Sequence, residues 1–366
     1  MKRILSTLSL VLVSSHSYAI VNGTPLDWHL KDNIVRLDSK TLNLKGQCTG
    51  TLLAGKYILT AAHCLEKRGD IDSVATHDDK TVASNYSTFQ QHPDYVYDSD
   101  NTSIDVGIIA LPQPIEYQAA QFIANPSTYT LEKGEAISVS GFGGTSFSEQ
   151  PLNRADFTFD KPHWSLAFHI YVDNVNEASD SYTTGGDSGA AWANDQGDIV
   201  AIHKGSNASS TGSGNNLVWI RETYGIDLAY AKDFILETVN GWHYPTLVDT
   251  DETGKATLTI QSLHKDNVDD NGFYADGDAS IVNNTCTNVA SYEKCTITIQ
   301  SNGEEGQVYL STDDVININK PQSDDTPSED DKKEPNSNDG ENGGSLHLWV
   351  LALLSVFGVA RRARTQ

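Results

Sequence analysis

The chain has 366 residues, with 25 Lys and Arg against 49 Asp and Glu, for a formal net charge of -24. That length allows one large domain or two smaller ones. A charge of that sign is repelled by nucleic acid and by anionic lipid, so neither is an expected partner, and the acidity is expected to serve solubility.

Residues 1–19 carry the three parts of a signal peptide. Lys2 and Arg3 are followed by an apolar run from Ile4 to Val13, and the small residues Ser17 and Ala19 precede the cut. The run is too short for a permanent membrane span. Export makes disulfides the expected state of the four cysteines, Cys48, Cys64, Cys286 and Cys295. Three pairings are open to four cysteines. Because the two couples lie far apart in sequence, Cys48 with Cys64 and Cys286 with Cys295 is the economical one, and neither has the C-x-x-C spacing of a zinc site.

From Ile20 to about Gly241, short apolar or alternating runs are separated by Gly, Asn and Asp, which predicts an all-β region. Lys56–Thr60, Asp105–Leu111, Ala136–Ser140 and Asp198–His203 are examples. One helix is predicted over Asp227–Val239, where Leu228, Ala231, Ile235 and Leu236 share a face. The boundaries drawn are a main domain over residues 20–243 and a small β-sandwich-like accessory domain over 244–320, with Cys286 and Cys295 stapling a hairpin or loop. Residues 321–342 hold no aliphatic or aromatic side chain and are expected to be a disordered acidic spacer. Gly343-Gly344, an apolar stretch Leu346–Ala360 and Arg361-Arg362-Ala363-Arg364 close the chain over residues 343–366. In outline this is a C-terminal anchor or sorting segment.

The strongest chemical signal is TTGGDSGAAW, centred on Ser188. A serine hydroxyl needs an adjacent base and donors for a developing oxyanion. Glycines before it let backbone N–H groups turn toward that oxyanion, so Gly186 and Ser188 are the expected donors. An α/β-hydrolase elbow is disfavoured, since Gly186-Asp187-Ser188-Gly189-Ala190 lacks its last glycine and no βαβ rhythm surrounds it. The base is His63 in ILTAAHCLE, after an apolar strand and beside Cys64. The orienting carboxylate is Asp105 in SIDVGIIALPQPI, opening a strand whose burial demands a partner for it. Asp98 and Asp100 compete, but YDSDN reads as a solvated loop.

The order His63, Asp105, Ser188, with IVNG, LTAAHC, DVGIIAL and GDSG in sequence, resembles the chymotrypsin-like serine peptidases over Ile20 to about Gly241. The resemblance implies two six-stranded β-barrels with a C-terminal helix, and peptide-bond hydrolysis through an acyl-enzyme with no metal or organic cofactor. It also implies that a freed Ile20 amine pairs with Asp187, and signal peptidase cutting after Ala19 would create that amine directly. The chain departs from the family pattern in having no cysteine between 64 and 286, and in Ala190-Ala191 where GDSGGP is commonest. Tyr182 stands six residues before Ser188, where a trypsin sets its basic preference, with Asp180 nearby. TTGGDSG and IVAIHKG are also similar to the glutamyl endopeptidases, which implies that Thr183 and His203 meet an acidic substrate side chain. Acidic, basic and small or apolar preferences all stay open. The tail resembles the GlyGly-CTERM sorting signal of Gram-negative bacteria, implying trimming by a rhomboid-type protease and release to the surface or medium after transient membrane contact. Two other functions remain as rivals: a catalytically silent homologue serving as a surface binding module, and an esterase.

Overall fold

In the computed structural model the described residues are 20–66, 71–78, 80–84, 86–97, 102–143, 152–174, 181–212, 218–270 and 272–321. The expected signal peptide, Asp98, Asp100, Asp180, residues 322–342 of the spacer and the tail lie outside them. Among the described residues no helix is long and apolar enough to cross a membrane.

The main region is built from two antiparallel sheets, the chymotrypsin-like arrangement expected. In the second sheet six strands close into a barrel: Asn153–Pro162, His169–Asn174, Val218–Asp227, Ile199–Thr211, Ala191–Ala193 and Ala136–Gly141, the last pairing back onto the first. Thr24–Pro25 adds to its outside. Along Asn153–Pro162 buried residues alternate with exposed or half-buried ones from Asn153 to Phe159, which gives the sheet one face toward the core.

The first sheet departs from the expected closed barrel. Its seven strands run in the order Thr81–Ala83, Ser73–Ala75, Ile34–Ser39, Leu44–Leu53, Tyr57–Thr60, Gly107–Ala110 and Phe89–Gln91, and among the described residues the two edge strands do not pair. Both edges are only three residues long. Without that pairing the described residues of this sheet form a half-barrel.

The predicted helix is shorter than its apolar stripe. Asp227 caps a 3-10 turn over Leu228–Tyr230 by accepting from the Ala229 N–H at 2.8 Å, and Ala231 leaves helical geometry. The α-helix therefore covers Lys232–Val239 and ends where Asn240 turns left-handed at φ 39°.

Two four-stranded sheets follow, one containing Trp242–His243, Lys255–Ser262, Lys294–Gln300 and Ser280–Asn284. The other contains Leu247–Val248, Val315–Ile318, Gly306–Tyr309 and Tyr274–Gly277. They enclose one core, including Leu258, Ile260, Ile297, Ile299, Val308 and Ile316. Strand Trp242–His243 already pairs with Lys255–Ser262, so this sandwich takes its first strand from just before residue 244. Disulfides join Cys48 to Cys64 and Cys286 to Cys295.

The sandwich is not hung from the main region by a linker. Its Leu263 and Tyr292 lie in the main hydrophobic core, and Ala54 of the half-barrel lies in the sandwich's core. His243 is fully buried between them. Its Nδ1 accepts from the Ala54 N–H at 3.0 Å and its Nε2–H donates to the Gln121 carbonyl at 2.9 Å. Burial therefore holds this ring neutral, with its pKa lowered to about 4. Lys56 reaches Asp314 at 2.6 Å across the same boundary.

Candidate active site

His63 sits in the 3-10 turn Ala62–Leu65 at the end of strand Tyr57–Thr60. Cys64, the next residue, ties that turn to strand Leu44–Leu53 through Cys48. Asp105 lies two residues before strand Gly107–Ala110 rather than inside it. The two segments come together because Gly107 has no side chain: a Cβ there would stand 2.8 Å from Leu65 Cδ1 and 3.1 Å from Ala62 Cα. Gln91 Nε2 donates to the Ala62 carbonyl at 2.8 Å and fixes the turn from its other side.

Asp105 is 1 % exposed and grips His63 with both oxygens. Oδ2 lies 2.7 Å from Nδ1, and Oδ1 accepts the His63 backbone N–H at 2.8 Å. Burial works against the imidazolium, but the hydrogen bond to Asp105 and that carboxylate's charge outweigh it, so the His63 pKa is raised above its ordinary value. Burial likewise works against the Asp105 carboxylate, and His63 reverses the balance and lowers its pKa. The arrangement leaves Nε2 as the ring atom free to exchange a proton.

Ser188 is held beside this couple through its backbone. Its carbonyl accepts from the Thr49 N–H at 2.8 Å and lies 3.9 Å from Cys64 Sγ. Among the described residues no hydrogen bond joins the Ser188 hydroxyl to His63. The N–H groups of Gly186 and Ser188 also meet no acceptor there, which leaves two donors open beside the serine. Gly186 adopts φ +104°, and a Cβ on it would stand 2.4 Å from the Gly46 carbonyl. Thr49 braces the loop, its hydroxyl donating to the Gly186 carbonyl at 2.8 Å and accepting the Phe142 N–H at 3.1 Å. Nothing in the sequence marks Thr49 for this role beyond its place next to Cys48.

Asp187 and Ile20 are both fully buried. The carboxylate accepts from Gly143 N–H and Thr184 N–H, each at 2.8 Å. With Ile20 still joined to Ala19, no cation faces it among the described residues, and burial pushes its pKa up to about 7. Val21 forms an isolated bridge to Tyr182, which brings the start of the main region to the segment leading into the serine loop.

The three residues expected at the specificity pocket make separate contacts, and only Tyr182 and Thr183 are neighbours, by sequence. The Tyr182 ring stacks under the Arg221 guanidinium at 3.5 Å. Thr183 is buried, 3.5 Å from Thr223 between hydroxyl oxygens. His203 joins the serine loop by backbone bonds to Gly189 and Ala190, each 2.8 Å. It is fully buried, its Nδ1 accepting from Trp192 Nε1 at 3.4 Å while Nε2 has no partner. Burial lowers its pKa to about 3, so it offers a neutral imidazole and not a cation. Among the described residues, the one cluster with metal-like spacing is His63 with Cys48 and Cys64, and the disulfide consumes both of those thiols.

The trypsin family model, that of a class of serine endopeptidases, matches residues 20–225. The chain belongs to the trypsin family. It is 28% identical over 193 residues to brachyurin of Leptuca pugilator, covering 49% of this chain and 84% of that protein. It is 31% identical over 111 residues to a trypsin of Simulium vittatum, covering 28% of this chain and 44% of that trypsin, so it spans less than half of that relative. Among solved structures it is similar to the VesB protease of Vibrio cholerae, at 18% identity and TM-score 0.45, covering 79% of this chain and 94% of the other.

Proposed function

We propose that the protein is an exported serine endopeptidase in which Ser188, His63 and Asp105 act as a triad. Ser188 Oγ attacks the scissile carbonyl. His63 Nε2 takes its proton and returns it to the leaving amine, and Asp105 holds the tautomer and offsets the charge of the imidazolium. The N–H groups of Gly186 and Ser188 receive the oxyanion. The observation that carries this reading is the doubly gripped His63–Asp105 couple beside a serine loop with two open N–H donors.

On this reading, cutting after Ala19 frees an Ile20 amine that moves onto Asp187, with no zymogen stage. Tyr182, Thr183 and His203 form the wall that meets the side chain at the cleavage residue, and the neutral His203 acts there by hydrogen bonding. The tail is an export and sorting signal removed near Gly343-Gly344. A fluorophosphonate probe tests the core of the proposal. Labelling of wild type and its loss in Ser188→Ala are expected, whereas folded protein cut at Ile20 that fails to label returns the reading to a silent binding homologue. Turnover of simple esters without turnover of peptides favours the esterase instead.

A further inference from the structure

Next to the triad lies a basic and aromatic cluster that the steps above do not use. Strand Ile199–Thr211 carries a bulge, with His203 opposite Gly225 and Gly205 opposite Tyr224, so Lys204 is the extra residue between them. A bulge re-aims its side chain away from the ladder. Lys204 Nζ is buried and has no hydrogen-bond partner. In a chain with 49 acidic residues, its ammonium is within ion-pairing distance of none of the described carboxylates. Asp105 is near enough for its charge to act on Lys204, but both Asp105 oxygens are committed to His63.

His169 lies in the same cluster and is 1 % exposed, with neither ring nitrogen hydrogen-bonded. It packs edge-on against Tyr224 at 4.9 Å and stacks on Tyr171 at 5.1 Å, while Lys204 and Asp105 both act on it electrostatically. His163 stacks on it at 5.9 Å and also packs against Tyr171 at 6.2 Å, and Trp164 beside His163 is 91 % exposed. A buried ammonium and a buried imidazole, both without partners, each cost stability when left so.

We propose that Lys204 and His169 form a carboxylate-binding subsite that accepts an acidic side chain of the peptide substrate at a position other than the cleavage residue. The inference rests on the endopeptidase reading above. A carboxylate is the complementary group because Lys204 presents only donors and a neutral His169 presents one, and charge-assisted bonds of that kind are the strong ones. Tyr171, Tyr224 and Trp164 would cover its methylene stem and keep water from the pair.

Matched peptides carrying Glu or Gln at each single position flanking the cleavage residue test this in the full-length protein. At one position wild type should turn over the Glu peptide with a kcat/KM at least about tenfold above its Gln counterpart. In Lys204→Met that ratio should fall to about one, and in Lys204→Glu a Lys peptide should become preferred at the same position. His169→Phe should lower the ratio while leaving some preference. No acidic preference at any position, or a Lys204→Met variant that loses Glu and Gln turnover in proportion, overturns the subsite. Failure of Ser188 to label would sink the protease reading alone. Calorimetric binding of the same peptides then decides the subsite, through a Glu-over-Gln preference that is present in wild type and absent in Lys204→Met, or its absence in both.

Discussion

Asp187 gives the most direct test of how the start of the main region is wired to the serine loop. In the chain still joined through Ala19, burial raises this carboxyl from 3.8 to about 7. Between those values the unfolded chain has released the proton while the folded one keeps it, so the folded state binds more protons and loses stability as pH rises. The gap of about three pH units corresponds to about 4 kcal/mol, lost in full above pH 7. Cutting after Ala19 supplies an ammonium, which should lower the pKa and remove the penalty. The perturbation is Asp187→Asn in two forms, one cut at Ile20 and one in which the cut is blocked. Urea unfolding between pH 4 and pH 8 reads the result. In the blocked form Asp187→Asn should gain on wild type as pH rises, by about 4 kcal/mol over that range. In the cut form the same substitution strands a buried ammonium and should cost about 3–5 kcal/mol at pH 8. A difference independent of pH in the blocked form, or the same sign in both forms at pH 8, refutes the reasoning.

Asp105→Asn should leave the fold intact and lower kcat roughly 10⁴-fold by favouring the wrong His63 tautomer, as measured by peptide turnover beside an unchanged circular dichroism spectrum. Because the His63 pKa is raised above 6.5, kcat/KM should climb with pH through an ionisation above that value; a limb below 6.5 would contradict the Asp105 grip. His169, His203 and His243 are held neutral with pKa values of about 4, 3 and 4, while their unfolded counterparts protonate near 6.5. Near pH 5 unfolding should take up about three protons at these rings, for a loss of about 4 kcal/mol per pH unit of acidification, seen as a steep fall in Tm below pH 6. Replacing Cys48 and Cys64 by Ala should lower stability by about 3 kcal/mol in urea unfolding and reduce turnover further by freeing the turn that carries His63.

Much of the site was legible in the sequence because it rests on local grammar. His63 beside a cysteine, Asp105 ahead of an apolar strand and Ser188 in a glycine-rich turn are each marked by their immediate neighbours. The all-β alternation and the cysteine pairing follow from equally short-range patterns. What escaped depends on distance and register. Lys204 and His169 lie 35 positions apart, and Lys204 is the extra residue of a strand bulge that no local pattern announces. Thr49 braces a loop 137 residues away, and no periodicity announces that contact. The helix starts later than its apolar stripe, which runs back through Leu228, because the capping geometry of Asp227 makes that turn 3-10. The open half-barrel likewise turns on which edge strands pair, and composition does not specify that.

The sandwich and the main region exchange residues between their cores, and this sets the order in which the molecule can be completed. Leu263 and Tyr292 seal a core whose first members, Val35 and Leu37, come more than two hundred residues earlier. The Lys56–Asp314 contact spans 258 positions. Closing such separations costs chain entropy before any contact repays it, which makes folding slow. The half-barrel that carries His63 and Asp105 is therefore finished only when nearly the last of the described chain is in place. A truncation that removes the sandwich leaves Ala54 and the Leu263 site open to water, so the two parts stand or unfold as one cooperative unit.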